Sequence, residues 1–312
     1  MNLRQLRYFV KIVELGNMTR AAESLFVAQP ALGMQIRQLE EDLGVALLVR
    51  HSRGVEPTAA GMLLHDRARE ILELVEQTRR DVAAQDGEGT EAIRLGLTPM
   101  LMLVVGPDIV VNVRDRVPHV ILRVVEDMSH VLVDHLSRGE IDFALAYDVP
   151  ETPQVTLTPL LREDLVLVTL PSPRKSTSVT AAEALRETLA LPESGDTIRE
   201  LVVRAARELG LEAKIAFEVR SISGIKNLIL RGAASGVLPY GSVLDEVRTG
   251  KLQALPIASP PLQRTLSLAA FNRRTPFRNE PALRREIRSS LTVLTDKLGP
   301  LARPVPPDDM PA

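Results

Sequence analysis

The chain has 312 residues, enough for two domains or three, and with 45% apolar and 25% charged residues it has the balance of a globular protein. Cysteine is absent, which excludes disulfides, thiol nucleophiles and zinc sites built on thiolates. A formal charge of -2 marks neither an acidic nor a basic specialist, and no apolar run reaches the ~20 residues of a membrane span. The charged start MNLRQLR leads into no signal-peptide core, so a cytoplasmic location is expected.

Residues 1–58 read as short helices joined by tight turns. Leu6, Phe9, Val10 and Val13 follow the stripe of a helix with one buried face, which Gly16 ends. Asn17 or Thr19 caps the next helix, whose buried side carries Ala22 and Leu25. A third stripe, Leu32, Ile36, Leu39 and Leu43, stops at Gly44. Two short helices around a tight turn, the second polar on its outer side, form a helix-turn-helix pattern. Pro30 falls at the first helical position, where its missing N–H costs nothing and its fixed φ helps. The run LLVRHSRGVEPT then reads as a strand pair around Ser52, Arg53 and Gly54, a wing.

Thr58 caps a longer helix to about Ala84. Leu64, Ala68, Ile71, Val75, Thr78 and Val82 alternate spacings of four and three, an a/d seam whose expected partner is a second copy of the same helix. With the polar run AQDGEGTEA this makes residues 59–91 a dimerising linker helix and hinge. From Ile93 strands alternate with helices, the mark of α/β architecture. IRLGL, VILRVVE, DFALAY and DLVLVTL are strand candidates; Val131 to Arg138, Thr197 to Leu209 and Ile222 to Arg231 are helix candidates. The chain crosses to a second lobe near Pro159 to Asp164 and returns at LSLAAF, so residues 92–300 divide into lobe I (about 92–161 and 266–300) and lobe II (about 162–265). The proline-rich tail, 301–312, is expected to be disordered.

The segment LRQLRYFVKIVELGNMTRAAESLFVAQPALGMQIRQLEEDLGVALLVRHSRGVEPTAAG closely resembles the amino-terminal domain of LysR-type transcriptional regulators, and within that family it is most similar to the nitrogen assimilation control branch. GLTP, VPHVILRVVEDMS, LSRGEIDFALAY, LPESG and GAASGVLPYGSV resemble, in order, the family's two-lobed effector domain. The resemblance implies an α+β chain: a winged helix-turn-helix, a dimerising linker helix and a periplasmic-binding-protein-like sensor. It also implies a homotetramer on an imperfect inverted repeat of promoter DNA, with RNA polymerase as a further partner. No cofactor and no metal are called for.

A recognition helix presents its N-terminal turns to base edges in the major groove. With Leu32, Ile36 and Leu39 facing inward, Pro30, Met34 and Arg37 point outward, and Gln29 sits at the tip, where its amide can pair with adenine or hold a phosphate. Arg37 serves equally as a DNA contact or as a surface charge paired with Glu40 or Glu41. The wing offers Arg50, His51 and Arg53 for phosphate or minor-groove contact. Residues 1–58 hold seven Lys/Arg against six Asp/Glu, a net +1 and no broad basic footprint. Where the family commonly has Ser-Arg, this chain has Gly33 and Met34, which removes a hydroxyl and a guanidinium. Gly33 is expected to allow closer backbone approach to DNA, and Met34 to touch a thymine methyl.

Ligands of open α/β lobes sit where strands end and helices begin. Thr98 with Pro99, Ser129, Ser194 with Gly195, and Ser221 with Ser223 stand at four such places, and hydroxyls there favour a small anion or serve as simple N-caps. Met100, Met128, Tyr147 and Tyr240 are candidates for the apolar lining. No arginine in these loops stands out as a carboxylate clamp, and an empty sensor stays open as an alternative. As for enzymes, there is no G-x-S-x-G elbow, P-loop or dinucleotide fingerprint. His130 and His135, five apart, do not share one helical face, which reads as a surface helix and not a metal site. A stand-alone solute-binding protein would have no use for the N-terminal helices.

Overall fold

A computed structural model of the chain describes residues 1–51, 54–84, 90–152, 154–172, 177–272 and 276–305. It divides into two compact units, Met1–Gly89 and Thr90–Ala312.

In the first unit, α1 (Leu3–Leu15) starts on a reciprocal cap: the Asn2 side chain accepts from the Gln5 amide, and the Gln5 side chain from that of Asn2. It ends on Gly16 in the left-handed conformation. α2 (Met18–Ser24) is capped by Asn17, whose side-chain oxygen accepts from the amides of Thr19 and Arg20; Thr19 lies inside the helix. α3 (Gln29–Leu43) follows a bare N-cap, Ala28, so Pro30 is the second helical residue and Gln29 the first. Neither position has an intrahelical acceptor, so proline still removes no bond. Phe9, Ile12, Met18, Leu32, Ile36 and Leu39 form one core; each large apolar side chain so buried stabilises by roughly 1.5–3 kcal/mol.

β1 (Leu48–His51) and β2 (Gly54–Pro57) pair antiparallel as the wing. The Glu40 carboxylate accepts from the amides of Leu47 at 2.8 Å and Leu48 at 3.2 Å, which ties the end of α3 to the wing. Thr58 caps α4 (Ala59–Ala84), its hydroxyl accepting from the Gly61 amide at 3.0 Å. Gly61 lies so close under the chain that a Cβ would stand 2.1 Å from the Leu47 carbonyl oxygen.

In the second unit the elements run in chain order β3 (Glu91–Leu97), α5 (Pro99–Val104), α6 (Gly106–Arg116), β4 (Val120–Glu126), α7 (Ser129–Ser137), β5 (Phe143–Tyr147) and β6 (Val155–Asp164). There follow β7 (Val166–Thr169), α8 (Ala181–Arg186), β8 (Leu189–Leu191), α9 (Thr197–Glu208), β9 (Ile215–Glu218), α10 (Ile222–Leu230), β10 (Gly236–Leu238), α11 (Leu244–Arg248) and β11 (Gln253–Pro256). The chain closes with β12 (Gln263–Phe271), α12 (Glu280–Leu298) and β13 (Ala302–Pro304).

Lobe I is a six-stranded sheet in the order β13-β6-β12-β5-β3-β4, with β3 parallel to both β4 and β5, and β12 antiparallel to β5 and β6. Every residue of β5 is buried, as a strand covered on both faces requires. Its core packs Ile93, Leu95, Phe143 and Leu145 against Ile109 of α6 and Ile287 and Leu294 of α12. Lobe II holds the antiparallel sheet β10-β7-β11 and the parallel pair β8-β9.

The two crossing strands, β6 and β12, carry the hinge. β6 stays in the lobe I sheet to Asp164 and β12 rejoins it at Gln263, a few residues beyond the expected crossing points on both sides. At the hinge a fully buried Glu163 accepts two bonds from Arg264, at 3.0 and 2.7 Å, and the Arg264 guanidinium stacks 3.5 Å from the centre of the Tyr147 ring. Two sequence expectations need correction. Ala302–Pro304 is an edge strand, its Ala302 opposite Glu163, because the free side of β6 offers a hydrogen-bond ladder; residues 306–312 lie outside the described residues. Glu91, placed in the hinge, is the first residue of β3, and its carboxylate accepts from the amides of Arg278 and Asn279 ahead of α12.

Candidate DNA interface and effector cleft

Helical spacing puts Gln29, Pro30, Met34 and Arg37 outward on α3; all four are exposed, Met34 to 58%. Gly33 is not on that face. It is buried, and a Cβ built there would meet only the Met18 side-chain tip, at 3.8 Å. The α2–α3 contact widens the buried face beyond Leu32 and Ile36 to include position 33, so the expected backbone approach to DNA at Gly33 is withdrawn. The two readings of Arg37 also separate. Glu40 is spent on the wing amides, and the Arg37 Nε reaches only the Gly33 carbonyl of its own helix, at 3.5 Å. Among the described residues, the Arg37 guanidinium forms no ion pair with Glu40, Glu41 or any other carboxylate.

On the wing, His51 Nε2 lies 3.3 Å from the Glu56 carboxylate. Arg53 and the Arg50 side chain lie outside the described residues. One exposed group escaped the sequence reading: Phe26, in the turn between α2 and α3, is 96% exposed at a φ of 54°. Its signal was present, an aromatic residue where a helix of this kind normally ends on glycine.

The linker seam also shifts. Ala68 is fully buried against Leu6 and Val10 of α1, with Leu64 packed beside it, so these two positions are occupied within the chain. Thr78 bonds the Leu74 carbonyl of its own helix, and Val75 is half-buried. Among the described residues, the large apolar side chains that α4 leaves exposed are Met62, Leu63, Ile71, Leu74 and Val82. Of the seam read from the spacing, Leu64 and Ala68 are covered within the chain, while Ile71 and Val82 stay exposed.

Between the lobes lies a cavity of about 300 Å³, to which lobe I contributes Pro99, Met100 and Glu126 and lobe II contributes Ser223, Lys226 and Ser242. Thr98 stands beside Pro99 at the start of α5, 7% exposed, and among the described residues its buried hydroxyl has no hydrogen-bond partner. Lys226 Nζ is 3.0 Å from the Glu246 carboxylate and donates to the Ser242 carbonyl at 3.4 Å. Arg220, overlooked in the sequence, bridges the lobes: its guanidinium lies 3.6 Å from Asp127 of lobe I and 3.4 Å from Glu193 of lobe II.

The other expected ligand groups are placed elsewhere. Ser129 is the first residue of α7, not its cap, and its hydroxyl accepts from the Tyr147 amide at 3.0 Å. Tyr147 is core, buried beneath Arg264, and burial pushes its hydroxyl well above the usual tyrosine range. Met128 is the buried N-cap of α7, and Met100, though it edges the cavity, packs in the lobe I core. Ser194 and Gly195 form an exposed turn leading to Asp196, the actual cap of α9, whose side chain accepts from the Ile198 amide at 2.8 Å. Burial raises the Asp196 carboxyl above its ordinary value. Ser221 caps α10 through the Gly224 amide, at 3.2 Å, and Tyr240 packs against cores of both lobes.

Comparison with known proteins decides what these two units are. Residues 3–62 match the bacterial regulatory helix-turn-helix protein family of lysR type, and residues 86–291 match the LysR substrate binding domain. The chain belongs to the LysR family. Among its relatives, the nitrogen assimilation regulatory protein nac of Klebsiella aerogenes is 35% identical over 270 residues, 86% of this chain and 88% of that protein. The DNA-binding transcriptional dual regulator OxyR of Escherichia coli is 31% identical over 271 residues, 86% and 88% of the two chains. The solved structure of full-length CbnR complexed with its target DNA is similar with a TM-score of 0.61 at 25% identity, covering 94% of this chain and 100% of that one. This LysR-family chain is thus a DNA-binding transcriptional regulator with an effector-binding domain, and not an enzyme. Among the described residues, no helix is long and apolar enough to cross a membrane.

Proposed function

We propose that this LysR-type regulator binds an imperfect inverted repeat in promoter DNA and responds to a small carboxylate metabolite in the interlobe cleft. The observation that carries the DNA reading is the outward face of α3, where Gln29, Pro30, Met34 and Arg37 stand exposed opposite an inner face that buries Leu32, Ile36 and Leu39. Gln29 and Met34 read base edges, Met34 through a thymine methyl, while Arg37 and wing residues Arg50, His51 and Arg53 hold phosphates. Two chains pair along α4 through Leu63, Ile71, Leu74 and Val82, which sets two recognition helices into successive major grooves. Two such dimers form a homotetramer that bends the DNA and alters access of RNA polymerase, in the cytoplasm.

For the cleft, Lys226 and Arg220 supply cations, and the unpartnered Thr98 hydroxyl and the Ser223 hydroxyl supply hydrogen bonds to a carboxylate. Ligand closure then shifts the preferred tetramer shape. A second reading has its own observation: Arg220 already ties Asp127 to Glu193 across the cleft, so a regulator that works without ligand has its lobes held by that bridge. Footprinting on DNA flanking the gene, with and without a panel of small carboxylates, tests both. A footprint that a carboxylate moves supports the sensor, and one that no carboxylate moves but Arg220→Ala does supports the bridge. Sequence-blind binding refutes the DNA reading itself.

A further inference from the structure

The turn between α2 and α3 holds its first carbonyls in a specific way. The Val27 amide donates to the Ala22 carbonyl at 3.0 Å, and the Phe26 amide donates to the Glu23 carbonyl at 3.1 Å. This crossed pair is the closure of a helix by a residue in the left-handed conformation, a place that glycine fills by default because a Cβ is strained there. α1 and α3 of the same unit obey the rule and end on Gly16 and Gly44, with φ of 58° and 69°. α2 instead ends on Phe26, at a φ of 54°.

The ring returns nothing to the fold. It is 96% exposed and belongs to none of the apolar clusters that hold the unit together. Phe26 thus carries backbone strain and a bare aromatic face at once, and a glycine would remove both. A side chain that the free fold would be better without has its use outside the fold.

Its position says what lies outside. Three residues on, Gln29 opens α3, and Gln29, Pro30 and Met34 are exposed. The ring has no donor or acceptor, so its partner is apolar. In the major groove the apolar group presented by bases is the C5-methyl of thymine.

We infer that Phe26 is a specificity-determining DNA contact, its ring seated on a thymine methyl at the edge of each operator half-site. The inference rests on the reading that α3 lies in the major groove.

The test uses the full-length chain with three forms, wild type, Phe26→Gly and Phe26→Asn, the last because asparagine also tolerates the left-handed conformation. The probes are a duplex of the footprinted operator, a random duplex of equal length, and operators with single thymines replaced by deoxyuridine, which lacks the methyl. The expected result is a Kd about tenfold weaker for both variants on the operator, with little change on random DNA. The slope of log Kd against log salt stays as in wild type, since no charge is lost. One deoxyuridine position weakens wild type and has no effect on either variant. Hydrogen exchange in α2 and α3 of Phe26→Gly stays as slow as in wild type or slower. Wild-type operator affinity in both variants, with or without loss of transcription, overturns the inference; the ring would then face a protein or nothing. Equal weakening on operator and random DNA also overturns it. A wild type with no preference for the operator overturns the recognition-helix reading beneath it, a failure distinct from that of Phe26.

Discussion

Replacing Gly33 by alanine is expected to stabilise the first unit and leave DNA binding untouched. Gly33 is helical and buried, and an added Cβ meets nothing nearer than the flexible end of Met18, at 3.8 Å, which is ordinary contact. Alanine then restores the helix propensity that glycine forfeits, about 1 kcal/mol. Gly61 is the internal control, because it too is a glycine in a helix. There the added Cβ would stand 2.1 Å from the Leu47 carbonyl oxygen, 3.1 Å from its carbon and 3.2 Å from Pro57 Cβ. Backbone cannot swing aside as a methionine tip can, so the wing must part from α4, at a cost of roughly 1–3 kcal/mol or more that exceeds the propensity gain. Hydrogen exchange of the full chain, read on peptides of α3 and the wing, measures both. Gly33→Ala should slow α3 exchange roughly fivefold, the equivalent of about 1 kcal/mol, and Gly61→Ala should speed exchange in both regions. Operator affinity of Gly33→Ala should stay within about twofold of wild type. A fall in affinity with exchange slowed as expected would refute the argument, since it would mean that DNA needs the bare backbone at position 33 after all.

Glu163→Leu leaves Arg264 buried without its carboxylate and should cost the second unit about 3–5 kcal/mol in urea unfolding, while Glu163→Leu with Arg264→Met should recover most of it. If the double variant is no better than the single one, packing at the hinge and not the stranded charge sets the cost. Asp196 is 5% exposed and its folded carboxyl is raised by burial, so the stability it contributes is present below its unfolded pKa and is lost as pH rises through the folded value. Asp196→Asn keeps the cap on Ile198 and should be the more stable form at pH 7, with the difference vanishing by about pH 4, as thermal melts across that range would show. Leu74→Asp, at an exposed position of α4, should shift the oligomer to smaller species in analytical ultracentrifugation without loss of helix content. Leu64→Asp should instead unfold the α1–α4 contact, and a reversal of the two would restore the original seam.

Much of this protein was legible because its signals are local. The caps Asn17 and Thr58, the wing strand pair and the α3 stripe through Leu32, Ile36 and Leu39 rest on a few neighbouring residues, and the structure realises each of them; Leu43, at the end of that stripe, is exposed. Strands β3, β4, β5 and β12 of lobe I were legible for the same reason, as apolar runs bounded by turns, whereas most of β6 and all of β13 were not. Where the structure departs from what the sequence suggests, the deciding partner is distant in sequence. Gly33 is buried by Met18, Ala68 by Leu6 and Val10, and Tyr147 by Arg264, more than a hundred residues on.

The effector cleft shows the same division more sharply. Hydroxyls beside helix starts mark N-caps and ligand groups alike, so Ser129 and Ser221 could not be told from Thr98 by sequence. Only packing shows that the first two are satisfied within the fold and that the Thr98 hydroxyl is not. Arg220 becomes a cleft residue only once Asp127 and Glu193, on different lobes, are brought to it. The sequence by itself determined the elements, the family and the outward face of α3, since each is written in short-range periodicity and turn chemistry. Which faces remain free, which hydroxyls stay unpaired and which charges meet were decided by the tertiary structure, because burial depends on neighbours that the chain supplies from far away.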